Sequence, residues 1–523
     1  MLFNSFEFIL LFLPLTLFVF FKIGGLGHHR VAISWLVGAS LFFYGWWNPA
    51  YLGLILGSIL FNYSLGVPLA SNMGGVNRKL LLVFGVGANI FLLGYFKYAN
   101  FFIDNVNLLT GGDFYIERII LPLAISFFTF QQITYIVDAY RGETKEYNFL
   151  HYCLFVTFFP QLIAGPIVHH REMLPQFAKN SIYIFNNRHF NVGVTIFFLG
   201  LFKKVVMADG IAVYASPVFV AAENGVALTF FDAWLGAFAY TFQLYFDFSG
   251  YSDMAIGIGR MFGIRLPINF NSPYKAGNII DFWRRWHITL SRFLRDYLYI
   301  PLGGKRKGSL RRYQNLMITM LLGGLWHGAG WTFVIWGALH GAFLSVNHLW
   351  RALGARYTVF CLDNSLWWRV FAHALTLVCV IIAWVFFRAT SFDGALNIIG
   401  AMFGSNGISL PENYEEHVRS VFSNANILRF DGMFTHSVFS NDLVRGLILV
   451  LSMLIAVVVL PNTQQIMYGY LRNKQLYGDI KPYVSRLVLW SPNLFWFLVM
   501  IVIALMSLNA MLGSVSEFLY FQF

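Results

Sequence analysis

The chain has few charged residues: Asp, Glu, Lys and Arg make up 11% of its 523 residues. Soluble domains carry about 25%. Hydrophobic residues make up 58%, and 57 of the residues are phenylalanine. A soluble domain has no interior large enough to hide this share of apolar side chains. The composition therefore excludes a soluble protein and predicts a polytopic membrane protein.

Cysteine is also scarce, and its three positions, Cys153, Cys361 and Cys379, form no CxxC pair. This spacing excludes a disulfide framework and a thiolate zinc site. The HExxH pattern of zinc hydrolases and the GxSxG elbow of serine hydrolases are absent as well. We expect no bound metal and no permanently bound cofactor.

The first apolar run, residues 6–21, lacks a preceding basic region and a following small-residue cleavage site. We interpret it as a retained first membrane span. Candidate spans of suitable hydropathy are 6–21, 32–46, 51–69, 80–96, 119–137, 150–168, 191–207, 229–246, 314–325, 331–349, 366–387, 443–460 and 493–513. Some are short or broken by glycine, so we expect about 10 to 12 full spans, with the remainder re-entrant or interfacial.

Lys and Arg in the short loops indicate the orientation of the chain in the membrane. These residues follow the first, third and fifth predicted spans: Lys22, Arg30, Arg78, Lys79, Arg141 and Lys145. The alternation is consistent if the N-terminus lies outside.

The formal net charge of +12 is scattered except for one basic group, Lys305, Arg306, Lys307, Arg311 and Arg312. Cytosolic anchoring to anionic lipid explains this group. Attraction of a phosphate-rich cytosolic donor is the alternative. A nucleic-acid partner is not expected.

Two mid-chain segments carry charges that are unusual for a membrane protein. Asp247 and Asp253 flank a Phe-Ser-Gly-Tyr-Ser sequence, which we interpret as a turn braced by the two carboxylates. In 281–299, Asp281 and Arg285 stand four residues apart, as do Arg292 and Asp296, which predicts one amphipathic helix. That helix either lies at the cytosolic interface or dips into the protein, directing His287 and Ser291 toward a tunnel.

His327 lies in the otherwise apolar segment LLGGLWHGAG, which starts at Leu321. An ionisable side chain at membrane depth indicates a functional site. A neutral imidazole can take a proton from an attacking hydroxyl near neutral pH, as acyl transfer requires. The neighbouring glycines, Gly323, Gly324, Gly328 and Gly330, are expected to let backbone and substrate approach closely. A buried histidine with a structural role, or one that lines a permeation path, is the alternative.

Four long blocks carry a family resemblance: FPQLIAGPI from Phe159, YFDFSGYSDMAIG from Tyr245, WRRWHITLSRFLRDYLYIPLGG from Trp283 and LLGGLWHGAGWTFVIWGALHG from Leu321. In sequence and order they closely resemble the bacterial alginate O-acetyltransferase branch of the membrane-bound O-acyltransferase family. The resemblance covers Met1 to about Phe403. It implies that His327 is the essential histidine and that His287 corresponds to the earlier Trp-His motif.

The family resemblance also implies an all-α fold, a ring of membrane helices around a thinned centre crossed by a tunnel. We expect residues 1–523 to form one membrane-embedded acyltransferase domain. The implied activity moves an acetyl group from cytosolic acetyl-CoA across the membrane to an exported polysaccharide. Implied partners are the bilayer and an extracytoplasmic SGNH-type transferase or esterase, and the implied location is the bacterial inner membrane.

The segment 518–523, FLYFQF, is similar to the C-terminal motif of the small subunit of the teichoic acid D-alanyltransferase system. By position, this similarity makes Tyr520 an acyl carrier, and a phenol with a pKa of about 10 keeps its ester activated. An interfacial aromatic anchor is the alternative interpretation of the tail. For the whole chain, the alternatives are a lipid or protein acceptor, and a transporter or scaffold without enzymatic activity.

Overall fold

A computed structural model describes residues 1–71, 77–143, 148–306, 308–356, 365–409, 415, 428–429, 437–439, 442–471, 488–513, 516, 518 and 519. Four residues that carry predictions, Lys145, Lys307, Cys361 and Tyr520, lie outside these ranges.

Most of the described chain is α-helical. The helices are α1 (Leu13–Gly25), α2 (His29–Gly45), α3 (Tyr51–Ala70), α4 (Arg78–Thr110), α5 (Ile125–Arg141), α6 (Phe149–Thr157), α7 (Phe159–Leu162), α8 (His170–Phe177), α9 (Asn187–Phe202), α10 (Asp209–Glu223), α11 (Phe230–Met261), α12 (Ile279–Trp283), α13 (Ile288–Leu294), α14 (Gly308–His327), α15 (Trp331–Arg356), α16 (Leu366–Arg388), α17 (Phe392–Met402), α18 (Leu443–Val459), α19 (Thr463–Ile466) and α20 (Leu494–Met511). A π-helical turn at Glu7–Phe12 precedes α1 without a break, and one at Lys203–Ala208 joins α9 to α10, so that each forms a longer continuous helical segment. Within the described residues, β-structure is limited to a parallel pair, β1 (Ile408–Ser409) and β2 (Leu428–Arg429).

Six helical segments of the described chain are long and apolar enough to cross a bilayer. They are Glu7–Gly25, Tyr51–Ala70, Arg78–Thr110, Asn187–Glu223, Leu366–Arg388 and Leu494–Met511. Many of their large apolar side chains are exposed, as a lipid environment requires. The prediction of an all-α polytopic membrane protein is confirmed.

The chain divides into two compact units, each assembled from separate stretches. The first unit contains Met1–Val205, Phe248–Asn269 and Thr463–Phe523. Aromatic rings pack together in the core of its N-terminal part, where the Phe159 ring centroid lies 5.3 Å from that of Phe12 and 5.4 Å from that of Phe43. Between α3 and α4 the buried amides of Asn62 and Asn89 hydrogen-bond each other, which stabilises helix pairs at membrane depth.

The second unit contains Val206–Asp247 and Phe270–Asn462. Helices α14 and α15 form an antiparallel hairpin in it, and α16 packs against α15. Near the other end of α16, the Glu223 carboxylate accepts hydrogen bonds from the backbone N–H groups of Thr390 and Ser391. These contacts satisfy donors that would be unpaired at the start of α17.

The predicted turn between Asp247 and Asp253 is wrong, because α11 runs through it without a break. Gly250 marks a close helix contact instead of a turn. A Cβ atom on Gly250 would lie 2.7 Å from the carbonyl oxygen of Gly200 on α9. Glycine is required there so that the two backbones can touch.

Two candidate spans, 119–137 and 150–168, are wrong in their helical bounds. The first begins only at Ile125, after Pro122 and the left-handed Ala124, whose φ is 60°. The second is split into α6 and α7 by a bend at Phe158, whose ψ is 104°. Hydropathy detects the apolar composition of such segments and misses the backbone breaks inside them.

Candidate active site

His327 is the last residue of α14, at the turn that leads into α15. Only 4% of its surface is exposed. Its ring lies 5.0 Å from Trp336 and 5.2 Å from Phe387, in edge-to-face contact with both. The sequence places an imidazole at membrane depth, and the structure packs it inside protein, where such a group is tolerated.

Glycines on both sides of His327 lie where α14 and α15 pack closely, and at Gly324 the predicted close approach of backbone is found. A Cβ on Gly324 would lie 2.2 Å from the carbonyl oxygen of Phe333, and one on Gly337 would lie 2.4 Å from that of Met320. A Cβ on Gly328 would lie 2.1 Å from the Phe333 ring. These residues therefore let α14 and α15 approach so closely that His327 and Trp336 meet.

His287 occupies a break between α12 and α13, with φ 42° and ψ 54° in the left-handed region. The prediction of one amphipathic helix over 281–299 is wrong for this reason. The Asp281–Arg285 ion pair does form, at 3.0 Å. Ser291 donates its hydroxyl to the Trp286 carbonyl at 3.3 Å, which braces the break.

A non-glycine residue in the left-handed region costs about 1 kcal/mol or more and is held in place by its surroundings. His287 is fully buried and lies outside the candidate membrane-spanning helices. Desolvation lowers the pKa of His287 to about 3. The ring is therefore neutral at physiological pH and can exchange hydrogen bonds with a substrate without carrying charge.

The structure brings the two predicted histidines together, since the rings of His287 and His327 lie 6.5 Å apart. The ring of Trp326 lies beside both, 6.3 Å from His287 and 4.9 Å from His327. The two imidazoles are therefore close neighbours in the second unit. The aromatic walls exclude water, which strengthens electrostatic interactions inside.

A third histidine, His340, belongs to the same site and was missed by the sequence analysis. Its ring lies 4.7 Å from Trp336 and stacks on Phe282 with centroids 6.1 Å apart. The indole N–H of Trp283 donates to its Nδ1 atom at 3.3 Å. His340 stands four residues after Trp336 in the motif block, which was the available sequence signal. We call His287, His327 and His340 the histidine cluster.

Among the described residues, no group of three or more His, Cys, Asp or Glu side chains is arranged to hold a metal ion.

Asp253 has the bracing role predicted for it, in the first unit. Its carboxylate contacts the Lys203 ammonium at 2.6 Å and accepts hydrogen bonds from Thr463 at 2.7 Å and Gln464 at 2.8 Å. These contacts connect the π-helical turn after α9 with α11 and α19. A buried carboxylate with this many partners is a structural element.

The predicted site residue Tyr520 lies outside the described residues, and the two residues before it, Phe518 and Leu519, are 2% and 6% exposed. The Phe518 ring stacks on Tyr251 with centroids 4.7 Å apart. Asn4 donates to the Ser516 carbonyl at 3.1 Å. The described part of the tail is thus packed into the first unit, whereas an interfacial anchor would expose these apolar side chains to lipid.

The chain is similar in sequence to three bacterial proteins with acyl-transfer names. The chain is 48% identical to the peptidoglycan O-acetyltransferase of Helicobacter pylori over 77% of this chain and 81% of that protein. It is 44% identical to the probable alginate O-acetylase of Pseudomonas putida over 79% of this chain and 82% of that protein. It is 28% identical to the teichoic acid D-alanyltransferase of Bacillus subtilis over 53% and 71% of the two chains.

Residues 136–390 match the family described as the membrane-bound O-acyltransferase family, and this range contains the whole histidine cluster. Two relatives that align over more than three quarters of the chain are named O-acetyltransferase or O-acetylase, and the helical membrane fold is consistent with the family. The chain therefore belongs to the membrane-bound O-acyltransferase family and is a multi-pass membrane acyltransferase.

Proposed function

We propose that the chain moves an acetyl group from cytosolic acetyl-CoA to an exported polysaccharide. The observation that carries this proposal is the pair of buried imidazoles, His287 and His327, whose rings lie 6.5 Å apart. The names of two relatives, a peptidoglycan O-acetyltransferase and an alginate O-acetylase, support acetyl as the group and a polysaccharide as the acceptor.

His327 acts as the general base and takes the proton of the attacking hydroxyl. A positioned base contributes about 10²- to 10⁴-fold to the rate of such a reaction. His287, neutral and held in a strained backbone conformation, orients the acyl donor or the acceptor.

Tyr520 is the first acceptor in this scheme. Its phenolic oxygen attacks the acetyl thioester, the carbon–sulfur bond breaks, and the proton passes to the leaving thiol. The tyrosyl ester then transfers the acetyl group to a sugar hydroxyl, which divides one difficult transfer into two easier steps. The burial of Phe518 and Leu519 supports a tail that is directed by the protein and not by the lipid.

A separate extracytoplasmic SGNH-type transferase or esterase completes the reaction on the polymer. The proposal places the protein in the bacterial inner membrane with its N-terminus outside. The Lys and Arg distribution of the first spans supports this orientation.

Purified protein with acetyl-CoA labelled in the acetyl group tests the activity. Wild-type protein is expected to transfer label to a polysaccharide when the partner protein is supplied, and His327→Ala is expected to lose at least 10²-fold in rate. Full transfer by His327→Ala would refute the assignment of the base.

Hydroxylamine treatment tests the tyrosyl relay, because hydroxylamine cleaves activated esters. The wild-type protein should carry a hydroxylamine-labile label, and Tyr520→Phe should carry none. Tyr470→Phe, in the first unit, is the matched control and should label like wild type. Equal labelling of wild type and Tyr520→Phe would exclude the relay and leave direct transfer.

The alternatives predict other outcomes of the same assay. A lipid or protein acceptor would place label in lipid extracts or in another polypeptide. A transporter or scaffold would release no free CoA from acetyl-CoA under any condition.

A further inference from the structure

Helix α15 carries two buried N–H groups for which the described residues provide no acceptor. Trp336 is 1% exposed and His340 is fully buried. Within the part of the chain that the structure describes, neither Trp336 Nε1 nor His340 Nε2 has a hydrogen-bond partner. Each such group costs about 1–3 kcal/mol, and native proteins satisfy about 90% or more of them. Both groups are therefore free to donate to a ligand.

The contact with Trp283 fixes which nitrogen of His340 carries the proton. An indole N–H is a donor only, so the Nδ1 atom of His340, 3.3 Å from Trp283 Nε1, is an unprotonated acceptor. The rings of Phe282, Trp336 and Trp384 form apolar surroundings that favour the neutral imidazole. The single proton therefore resides on Nε2, which makes that atom a donor.

One donor, Trp336, lies beside the base His327, and the other, His340, lies beside Trp336. Trp336 and His340 stand four residues apart, on one face of α15. The Trp336 ring lies 5.0 Å from His327 and 4.7 Å from His340, so it contacts the base and the second donor at once. The two donors and the base are therefore linked through the Trp336 ring.

We propose that His340 Nε2–H and Trp336 Nε1–H form the oxyanion hole of the acyl transfer, and that Trp283 holds His340 in the donating tautomer. This inference rests on the proposed function. The acceptor oxygen attacks the thioester carbonyl carbon and gives its proton to His327. The carbonyl oxygen becomes an oxyanion held by the two N–H groups. Its collapse breaks the carbon–sulfur bond, and the sulfur takes the proton from His327 and leaves as a free thiol.

Steady-state kinetics of acetyl transfer test the oxyanion hole. Loss of one oxyanion donor lowers kcat about 10²- to 10³-fold. His340→Ala and Trp336→Phe should each lose this much in kcat. KM and the affinity for an unreactive thioether analogue of acetyl-CoA should stay within about threefold, because the donors act on the transition state. Trp283→Phe removes the N–H that holds His340 in one tautomer, so it should lower kcat by a smaller factor.

Two replacements of His340 separate a donor role from a packing role. His340→Gln places an amide N–H near the Nε2 position and should keep at least tenfold more activity than His340→Asn, whose amide reaches only the Nδ1 position. The matched control is His348→Ala, a half-buried position two turns further along α15, which should keep wild-type kinetics. Monodisperse elution and the thermal unfolding midpoint establish that each variant is folded.

The outcomes distinguish this inference from the proposed function. If wild-type protein transfers acetyl groups and His340→Ala and Trp336→Phe do so at similar rates, the oxyanion hole is wrong and the proposed function stands. His340→Asn as active as His340→Gln overturns the tautomer assignment. If His340→Ala fails to fold, Trp336→Phe and the Gln–Asn comparison decide the question. A wild-type protein that transfers no acetyl group refutes the proposed function itself.

Discussion

Gly324→Ala is expected to impair the site although it adds a single methyl group. The new Cβ would lie 2.2 Å from the Phe333 carbonyl oxygen and 3.2 Å from Gly337 Cα, both backbone atoms of α15. Ordinary contacts begin near 3.5 Å, so α15 must move away by about 1 Å. Overpacking of this kind costs about 1–3 kcal/mol.

The displacement acts directly on the histidine cluster, because α14 carries His327 and α15 carries Trp336 and His340. A misplacement of about 1 Å in an active site can cost about 10²-fold in rate. We therefore expect Gly324→Ala to lower both the thermal unfolding midpoint in detergent and the initial rate of acetyl transfer, the rate by about 10²-fold.

Gly323→Ala is the matched control, one residue earlier on the same helix. Its new Cβ would meet only the Leu294 Cδ1 atom, at 3.3 Å, which is the end of a flexible side chain. Both variants gain the same helix propensity, about 1 kcal/mol, so their difference isolates the backbone contact. Equal midpoints and equal rates for the two variants would refute the argument that Gly324 sets the spacing of α14 and α15.

Three further predictions concern the supports of the fold and the site. Asp253→Asn should destabilise the protein by about 3–5 kcal/mol, because it leaves the Lys203 ammonium without its counterion. The control Asp281→Asn, at an ion pair about 30% exposed, should cost under about 1 kcal/mol. Similar unfolding midpoints for the two variants would contradict this prediction. Phe518→Ala removes a buried ring stacked on Tyr251, so it should lower the free energy of unfolding by about 3 kcal/mol and make the tail accessible to carboxypeptidase. An unchanged digestion pattern would show that Phe518 does not hold the tail in place. His287→Ala should lower acetyl transfer at least tenfold, and it should also lower the thermal unfolding midpoint, because alanine fits the left-handed backbone no better than histidine and leaves a cavity. Full activity in a folded variant would exclude an orienting role.

The sequence predicted the membrane class, the family and two members of the histidine cluster, because those depend on composition and on long local motifs. Helix interruptions were harder to predict. Nothing in the hydropathy of 281–299 distinguishes one amphipathic helix from two helices broken at His287. The break depends on a left-handed backbone conformation that the surrounding structure imposes.

The opposite error occurred at Gly250, where a glycine between polar residues was interpreted as a turn. Its role depends on Gly200, fifty residues away, which only the folded structure brings near. His340 was missed for a related reason, since its spacing of four residues from Trp336 does not by itself distinguish a site residue from one that only packs in the helix. The folded structure places it in the histidine cluster through its contacts with the Trp283 indole and the Trp336 ring.

The central claim is that His327 is the base of an acetyl transfer. The most direct test is the rate of free CoA release from acetyl-CoA by purified His327→Ala protein in the presence of acceptor, with binding of an unreactive thioether analogue measured in parallel. The account predicts a rate at least 10²-fold below wild type with unchanged analogue affinity. A rate within threefold of wild type in a folded variant would contradict it.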